Sequence, residues 1–192
     1  MTVLFINTCV RKQSRTLQLA QYFLEKWNDP DVIEISPENE NIRSLDAQML
    51  HIRDHALYEN DLDHPVLRYA KQFAQADTIV IAAPYWDLSF PAALKVYLER
   101  VNAVGVTFYY DETGYPHGLC KAKRLIYIAT AGGPLISDVY GYGYVRQLCE
   151  TFYEIPETVH FIAENLDMPD TDVEKSLADV RTEMEEWIIQ SR

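Results

Sequence analysis

The sequence predicts an α/β fold, a doubly wound, five-stranded parallel sheet with helices on both faces. Three observations predict it. Short apolar runs rich in β-branched residues alternate with longer amphipathic stretches. One of these runs, Thr78 to Ala83, is continuously apolar, as a central parallel strand covered on both faces must be. No internal repeat or linker divides the 192 residues, a length at which one domain buries around 70% of the surface its unfolded chain exposes. Right-handed crossovers between parallel strands then set helices on both faces of the sheet.

The elements follow in order. Val3 to Ile6 is the first strand and Thr8 to Ser14 a polar loop. The helix after it repeats apolar residues at spacings of three and four: Leu17, Ala20, Phe23, Leu24 and Trp27. Asp31 to Ile35 is the second strand, closed by Ser36-Pro37. A helix over Pro65 to Gln75 leads into the central strand, which stops at Pro84, and a helix over Pro91 to Ala103 follows. The fourth strand, Leu125 to Ala129, runs into Thr130-Ala131-Gly132-Gly133-Pro134. A helix over Asp138 to Phe152, a last strand over Val159 to Ala163 and a helix over Asp172 to Ile189 complete the chain.

Composition narrows the partners. With 17 Lys+Arg against 29 Asp+Glu the formal charge is −12. Such a surface repels phosphate backbones and anionic headgroups, which excludes nucleic acid as a partner class. Hydrophobic residues at 48% exclude a disordered chain, and 7 Gly with 9 Pro exclude collagen-like and low-complexity classes. Cys9, Cys120 and Cys149 are too few and too scattered for a disulfide framework or a zinc site, and they fit a reducing compartment. The opening MTVLFINTCV lacks the basic region and cleavage site of a signal peptide. No window reaches the roughly 18 apolar residues that a membrane span requires. The expectation is a cytoplasmic protein.

In open parallel sheets, ligands bind beyond the carboxyl ends of the strands near the switch point, so the loops after strands one, three and four are the candidates. Asn7 to Thr16 reads NTCVRKQSRT and enters a helix directly. Thr8, Ser14 and Thr16 supply hydroxyls, the helix start supplies unpaired N–H groups, and Arg11, Lys12 and Arg15 concentrate cations in an acidic chain. That suits a monophosphate; the alternative is that Ser14 only caps the helix and the cations are a solvated face. Neither G-x-G-x-x-G nor G-x-x-x-x-G-K-[ST] occurs here, so a dinucleotide cradle or an ATP loop is not supported.

Cys9 and Arg15-Thr16 also form C-x5-R-T, which resembles the phosphate loop of low-molecular-weight tyrosine phosphatases and related arsenate reductases. In that reading a Cys9 thiolate attacks phosphorus while Arg15 holds the oxygens. The loop has no glycine to turn its amides inward, and the sole Asp-Pro, Asp29-Pro30, lies far from where the phosphatases place their acid.

Pro84-Tyr85-Trp86-Asp87-Leu88 follows the central strand. Adjacent aromatics between prolines form a stiff ledge for a flat heterocycle, or else pack beneath the next helix. Thr130-Ala131-Gly132-Gly133 follows the fourth strand. Its glycines let backbone approach a planar ring and aim amides at a carbonyl edge, or else simply make a turn. The conjunction of the three loops at one sheet end outweighs each alone.

These blocks resemble the flavodoxin-like NAD(P)H:quinone dehydrogenases and FMN-dependent NADH-azoreductases. The likeness is carried by A-P-Y-W-D-L-S-F-P-A-A-L-K-V-Y-L-E-R-V at Ala83 to Val101, G-V-T-F-Y-Y-D-E-T-G at Gly105 to Gly114, Gly118-Leu119 and T-A-G-G at Thr130 to Gly133, and more loosely by A-E-N-L-D at Ala163 to Asp167. The resemblance implies a sheet order of 2-1-3-4-5 and FMN as cofactor, with NADH or NADPH as electron donor. It implies that Thr8, Ser14, Arg15 and Thr16 hold the FMN phosphate. Pro84, Tyr85, Trp86, Asp87 and Leu88 would line the ring, with Thr130, Ala131, Gly132 and Gly133 at its pyrimidine edge. It further implies a homodimer in which Phe108 of one subunit covers the other's flavin, with Tyr140 or Tyr142 helping to close the pocket. The implied reaction is two-electron, ping-pong hydride transfer to a quinone or azo compound. Ala131 stands where the family usually has Arg, and Tyr140-Gly141-Tyr142-Gly143-Tyr144 departs from the family pattern. A flavodoxin-like carrier passing electrons between proteins is the non-enzymatic alternative.

The remaining candidates are weak. His51 and His55 share a helical spacing but lack a third ligand, so no metal site is expected. His117 sits in a loop near the implied dimer site, and Ser89 lacks the flanking glycines of a nucleophile elbow. The acidic stretch from Asp170 to Glu186 is a solvated amphipathic helix.

Overall fold

The computed structural model describes residues 1–29 and 31–191; Pro30 of the Asp29-Pro30 pair lies outside them. Five parallel strands form the main sheet: β1 (Thr2–Asn7), β2 (Asp31–Ile35), β3 (Thr78–Ala82), β6 (Arg124–Thr130) and β7 (Glu157–Ala163). Their order is β2-β1-β3-β6-β7, which is the expected 2-1-3-4-5. A separate antiparallel hairpin, β4 (Phe108–Tyr110) with β5 (Pro116–Gly118), interrupts the run before β6.

Alternation along the strands sends side chains into two cores, because successive residues of a strand point to opposite faces. Leu4, Ile6, Ile79, Ile81, Leu125 and Tyr127 face one layer, formed by α3 (Arg68–Gln75), α4 (Ala92–Val101) and α5 (Tyr142–Leu148). Val3, Phe5, Val80, Ile126 and Ile128 face the other, formed by α1 (Arg15–Trp27) and α6 (Val173–Gln190). Every residue of β3 is buried, and each of its isoleucines contributes about 1.5–3 kcal/mol of transfer free energy.

Three differences from expectation have physical causes. Helix α2 (Ala47–Tyr58) was not anticipated, and it buries only Ala56, so it carries no apolar stripe to read. The hairpin strands are three residues each, too short for a period-two pattern. The helix expected from Asp138 begins at Tyr142 and widens into a π-helical turn over Cys149–Tyr153. In α1 the stripe is centred on Leu19, Ala20, Phe23 and Trp27, with Leu17 and Leu24 at its margin.

The strand ends meet at one edge. Thr8 N–H donates to the Ala82 carbonyl at 3.0 Å, Ala83 N–H to Ile128 at 3.0 Å, Tyr85 N–H to Thr130 at 3.0 Å and Ala131 N–H to Ala163 at 2.8 Å. The loops after β1, β3, β6 and β7 therefore leave the sheet side by side.

Candidate functional site

The first loop is organised by Ser14. Its N–H donates to the Arg11 carbonyl at 3.1 Å, and its Oγ accepts from Leu17 N–H at 3.2 Å, capping α1. The N–H groups of Arg15 and Thr16, at the first two positions of the helix, have no carbonyl inside it to bond, and the helix dipole favours an anion in front of them. Thr16 is fully buried and shares a 2.7 Å hydrogen bond with the Thr130 hydroxyl. Arg15 donates to Asp167 at 2.8 Å and to the Leu166 carbonyl at 3.3 Å. Arg11 lies over the Trp86 ring, 5.9 Å from its centroid.

The aromatic loop is pinned at both ends. Trp86 and Ser89 exchange backbone hydrogen bonds at 2.9 and 2.8 Å, so Asp87 and Leu88 are the central residues of a tight turn. Their φ angles are 50° and 67°, the left-handed values of a type I′ turn. Glycine or asparagine would sit there without the strain that Leu88 carries, and strain of this kind gathers at binding sites. Tyr85 donates its hydroxyl to the Ser137 carbonyl at 3.1 Å, and Ser89 donates to the Tyr140 carbonyl at 2.5 Å. The ledge is thus tied to the segment after the glycine loop.

Gly132 packs against the Asp167 carboxylate. A Cβ there would stand 2.5 Å from Asp167 Oδ2. The neighbour is a side chain of this protein. A Cβ at Gly133 would meet nothing within 4 Å.

These loops enclose a cleft of about 1080 Å³. The structure brings Ser14, Arg15, Thr16, Pro84, Tyr85, Trp86, Thr130, Ala131 and Gly132 together on its walls, with Arg11 and Lys12. Several expected residues stand elsewhere. Thr8 is buried, and its hydroxyl donates to the Ala82 carbonyl at 2.8 Å, so it reinforces the β1–β3 junction. Asp87, Leu88 and Gly133 are not among the cleft-lining residues. Phe108 is buried against Phe152, with ring centroids 4.7 Å apart; Tyr109, Tyr110 and Tyr115 are exposed aromatics of the hairpin. Tyr142 is buried and donates to the Thr158 carbonyl at 3.0 Å, whereas Tyr140 is exposed.

Sequence reasoning by loops after β1, β3 and β6 missed the wall contributed after β7: Leu166, Asp167, Val173, Glu174 and Leu177. The Ala163 to Asp167 stretch was the available signal. No pattern of spacing links it to Arg15, 152 positions away.

The cysteine reading loses its chemistry here. Burial pushes the Cys9 thiol up to about 11, against the smaller opposing effect of a hydrogen bond with Ser14. A nucleophilic thiolate needs the reverse shift, and Arg15 is held by Asp167. His117 sits in the hairpin between Asp111 at 3.2 Å and Glu154 at 3.4 Å, apart from the cleft. The hydroxyl of Thr113, with the Tyr115 N–H and His117, holds the Asp111 carboxyl well below the usual carboxylate range. Among the described residues no group of three or more His, Cys, Asp or Glu stands where it could share a metal ion, and no helix is long and apolar enough to cross a membrane.

Known proteins share this fold. A family described as having the flavodoxin-like fold matches residues 1–188. The FMN-dependent NADH:quinone oxidoreductase of Coprothermobacter proteolyticus is 33% identical over 184 residues, covering 91% of this chain and 90% of that one. The FMN-dependent NADH:quinone oxidoreductase 2 of Clostridium acetobutylicum is 36% identical over 185 residues, covering 90% of each. Among solved structures, an azoreductase of Bacillus anthracis superposes with a TM-score of 0.82 at 24% identity, covering 98% of this chain and 99% of that one. An FMN-dependent NADH-azoreductase of the same species, in complex with FMN, gives 0.79 at 21% identity over 99% of both; both structures speak to the fold. Over nearly its whole length, therefore, the chain belongs to the flavodoxin-like family and, within it, to that of the FMN-dependent NADH:quinone oxidoreductases.

Proposed function

We propose that this chain is an FMN-dependent oxidoreductase that takes hydride from NADH or NADPH and delivers two electrons to quinones or azo compounds in a ping-pong cycle. The observation that carries this reading is the cleft, one open space that joins an anion-binding helix start to a rigid aromatic ledge. The names of the two enzyme relatives support it.

The residues fit FMN by the chemistry of their donors. Ser14, Thr16 and the first amides of α1 would hold the phosphate, with Arg11 and Lys12 supplying charge. Of the two carboxylates on the cleft wall, Asp167 and Glu174, Asp167 is paired with Arg15. Pro84, Tyr85 and Trp86 would line the ring, with Asp87 and Leu88 at its rim. Thr130, Ala131, Gly132 and Gly133 would meet its pyrimidine edge.

When bound, FMN supplies the two-electron hydride chemistry. The chain supplies position. Thr16 and Thr130 lock the phosphate loop to the glycine loop, and the Trp86 to Ser89 turn holds the ledge at a fixed height above the sheet. Gly132 and Gly133 carry no side chain to stand between main chain and ring, which favours amide donors at an edge where negative charge develops. Aromatic walls keep water from the reacting face and hold flat substrates in stacking register. No side chain need act as a nucleophile.

The working unit in this reading is a cytoplasmic homodimer, in which Tyr109, Tyr110 and Tyr115 are exposed hairpin aromatics available to a partner's cleft. Initial rates at several fixed acceptor concentrations test the cycle. Parallel double-reciprocal lines support ping-pong transfer and intersecting lines rule it out. Sedimentation equilibrium tests the dimer.

A further inference from the structure

Arg15 occupies the first position of α1, beside the space where an anion would sit. Its guanidinium is engaged with the loop after β7. Nη1 donates to Asp167 Oδ1 at 2.8 Å and to the Leu166 carbonyl at 3.3 Å. Asp167 is fixed in turn through its backbone. Its N–H donates to the Gly132 carbonyl at 2.8 Å, and Leu166 N–H donates to the Ala131 carbonyl at 3.1 Å. The glycine at 132 leaves room for the carboxylate, since a Cβ there would stand 2.5 Å from Asp167 Oδ2. The pair therefore joins the start of α1, the glycine loop and the loop after β7.

The Arg15 and Asp167 side chains are 39% and 69% exposed. A solvated pair of this kind adds little to folding, so its main effect is on the charge facing the cleft. Arg15 and Asp167 cancel. Arg11, over the Trp86 ring, and Lys12 remain as cleft-lining cations, with the carboxylate of Glu174 also on the cleft wall, and neither cation forms a salt bridge among the described residues.

We propose that Asp167 is the positioning residue of the cleft's anion end: it holds Arg15 as a brace between two loops, leaving the phosphate to Ser14, Thr16, the first amides of α1, Arg11 and Lys12. The inference rests on the FMN reading above and goes beyond it, because it removes Arg15 from the phosphate ligands that the resemblance implies. Gly132 then serves the brace as well as the ring.

FMN and riboflavin differ only in the phosphate, so their affinity ratio isolates the contacts to it. Both are titrated against the flavin-stripped full chain by quenching of flavin fluorescence. Arg11→Gln and Lys12→Gln are each expected to lower the preference for FMN by about fivefold to tenfold, as a lost charge-assisted contact would. Arg15→Gln is expected to weaken both flavins by the same factor, leaving the preference within about twofold of wild type. Asp167→Asn, which keeps shape and removes charge, frees a cation and is expected to raise the preference by roughly fivefold. A structural role alone would not move that ratio upward. The inference is overturned if Arg15→Gln abolishes the preference while riboflavin affinity stays unchanged, or if Asp167→Asn lowers it. Should Arg15→Gln fail to fold, the sign of the Asp167→Asn change decides. Wild-type protein that binds neither flavin overturns the FMN reading and this inference together, and is distinguishable because no ratio can then be measured.

Discussion

The hydroxyl oxygens of Thr16 and Thr130 stand 2.7 Å apart, joining the first turn of α1 to the end of β6 across the floor of the cleft. Either can donate, and Thr16 is fully buried. Thr130→Val keeps the shape and leaves the Thr16 hydroxyl unpaired, which costs about 1–2 kcal/mol. Thermal unfolding of the flavin-free variant should show a Tm lower by roughly 2–8 °C at this chain length. Adding Thr16→Val removes the orphaned group and should recover part of the loss. A double variant that simply sums the two single losses would show that the two hydroxyls do not act as a pair.

Gly118 lies against the π-helical turn. A Cβ there would stand 2.3 Å from the Tyr153 carbonyl oxygen and 2.4 Å from its carbon, backbone atoms that cannot rotate away. Gly118→Ala should therefore destabilise by on the order of 3 kcal/mol. Urea denaturation measures it; a loss below half that figure would mean that the hairpin shifts freely over the turn.

Cys9 carries a pH signature. Its thiol is raised from about 9.0 to about 11, and a group raised in the folded state favours folding below its unfolded pKa. That contribution is complete below pH 9 and is lost as pH climbs toward 11. It amounts to about 3 kcal/mol at most. Iodoacetamide labelling of Cys9, followed by mass spectrometry, should be slow at pH 8 and accelerate only toward pH 11. Fast labelling at pH 7 would restore the thiolate reading.

Trp86 is 36% exposed, so its removal should spare stability and harm the ledge. Trp86→Ala is expected to weaken FMN and riboflavin alike by about fivefold to tenfold, from lost stacking. Flavin titration checks it. Unchanged affinity for both would remove Trp86 from the ring site.

Much of this arrangement was legible in the sequence. The central strand announced itself because it is apolar from Ile79 onward, and the switch-point rule then named three of the four loops that build the cleft. What escaped detection depends on contacts with no sequence period. Helix α2 hides because Ala56 alone is buried. The hairpin hides because its order comes from a loop: Asp111 accepts from Thr113 and Tyr115 N–H groups at 2.8 and 2.9 Å. Thr8 offers a hydroxyl that could serve phosphate or backbone equally well, and only the position of the Ala82 carbonyl decides. The Asp167 wall was likewise hidden, since a carboxylate on a distant loop gives no local sign that it grips Arg15.

The most direct test of the central claim is an anaerobic absorbance titration of the FMN-loaded protein with NADH and then NADPH, with no other reductase present. The account predicts that one or both nucleotides bleach the flavin band in a single two-electron step, and that a quinone added afterwards restores it. Protein that binds FMN yet leaves the band intact with both nucleotides would contradict the oxidoreductase reading and mark an electron carrier.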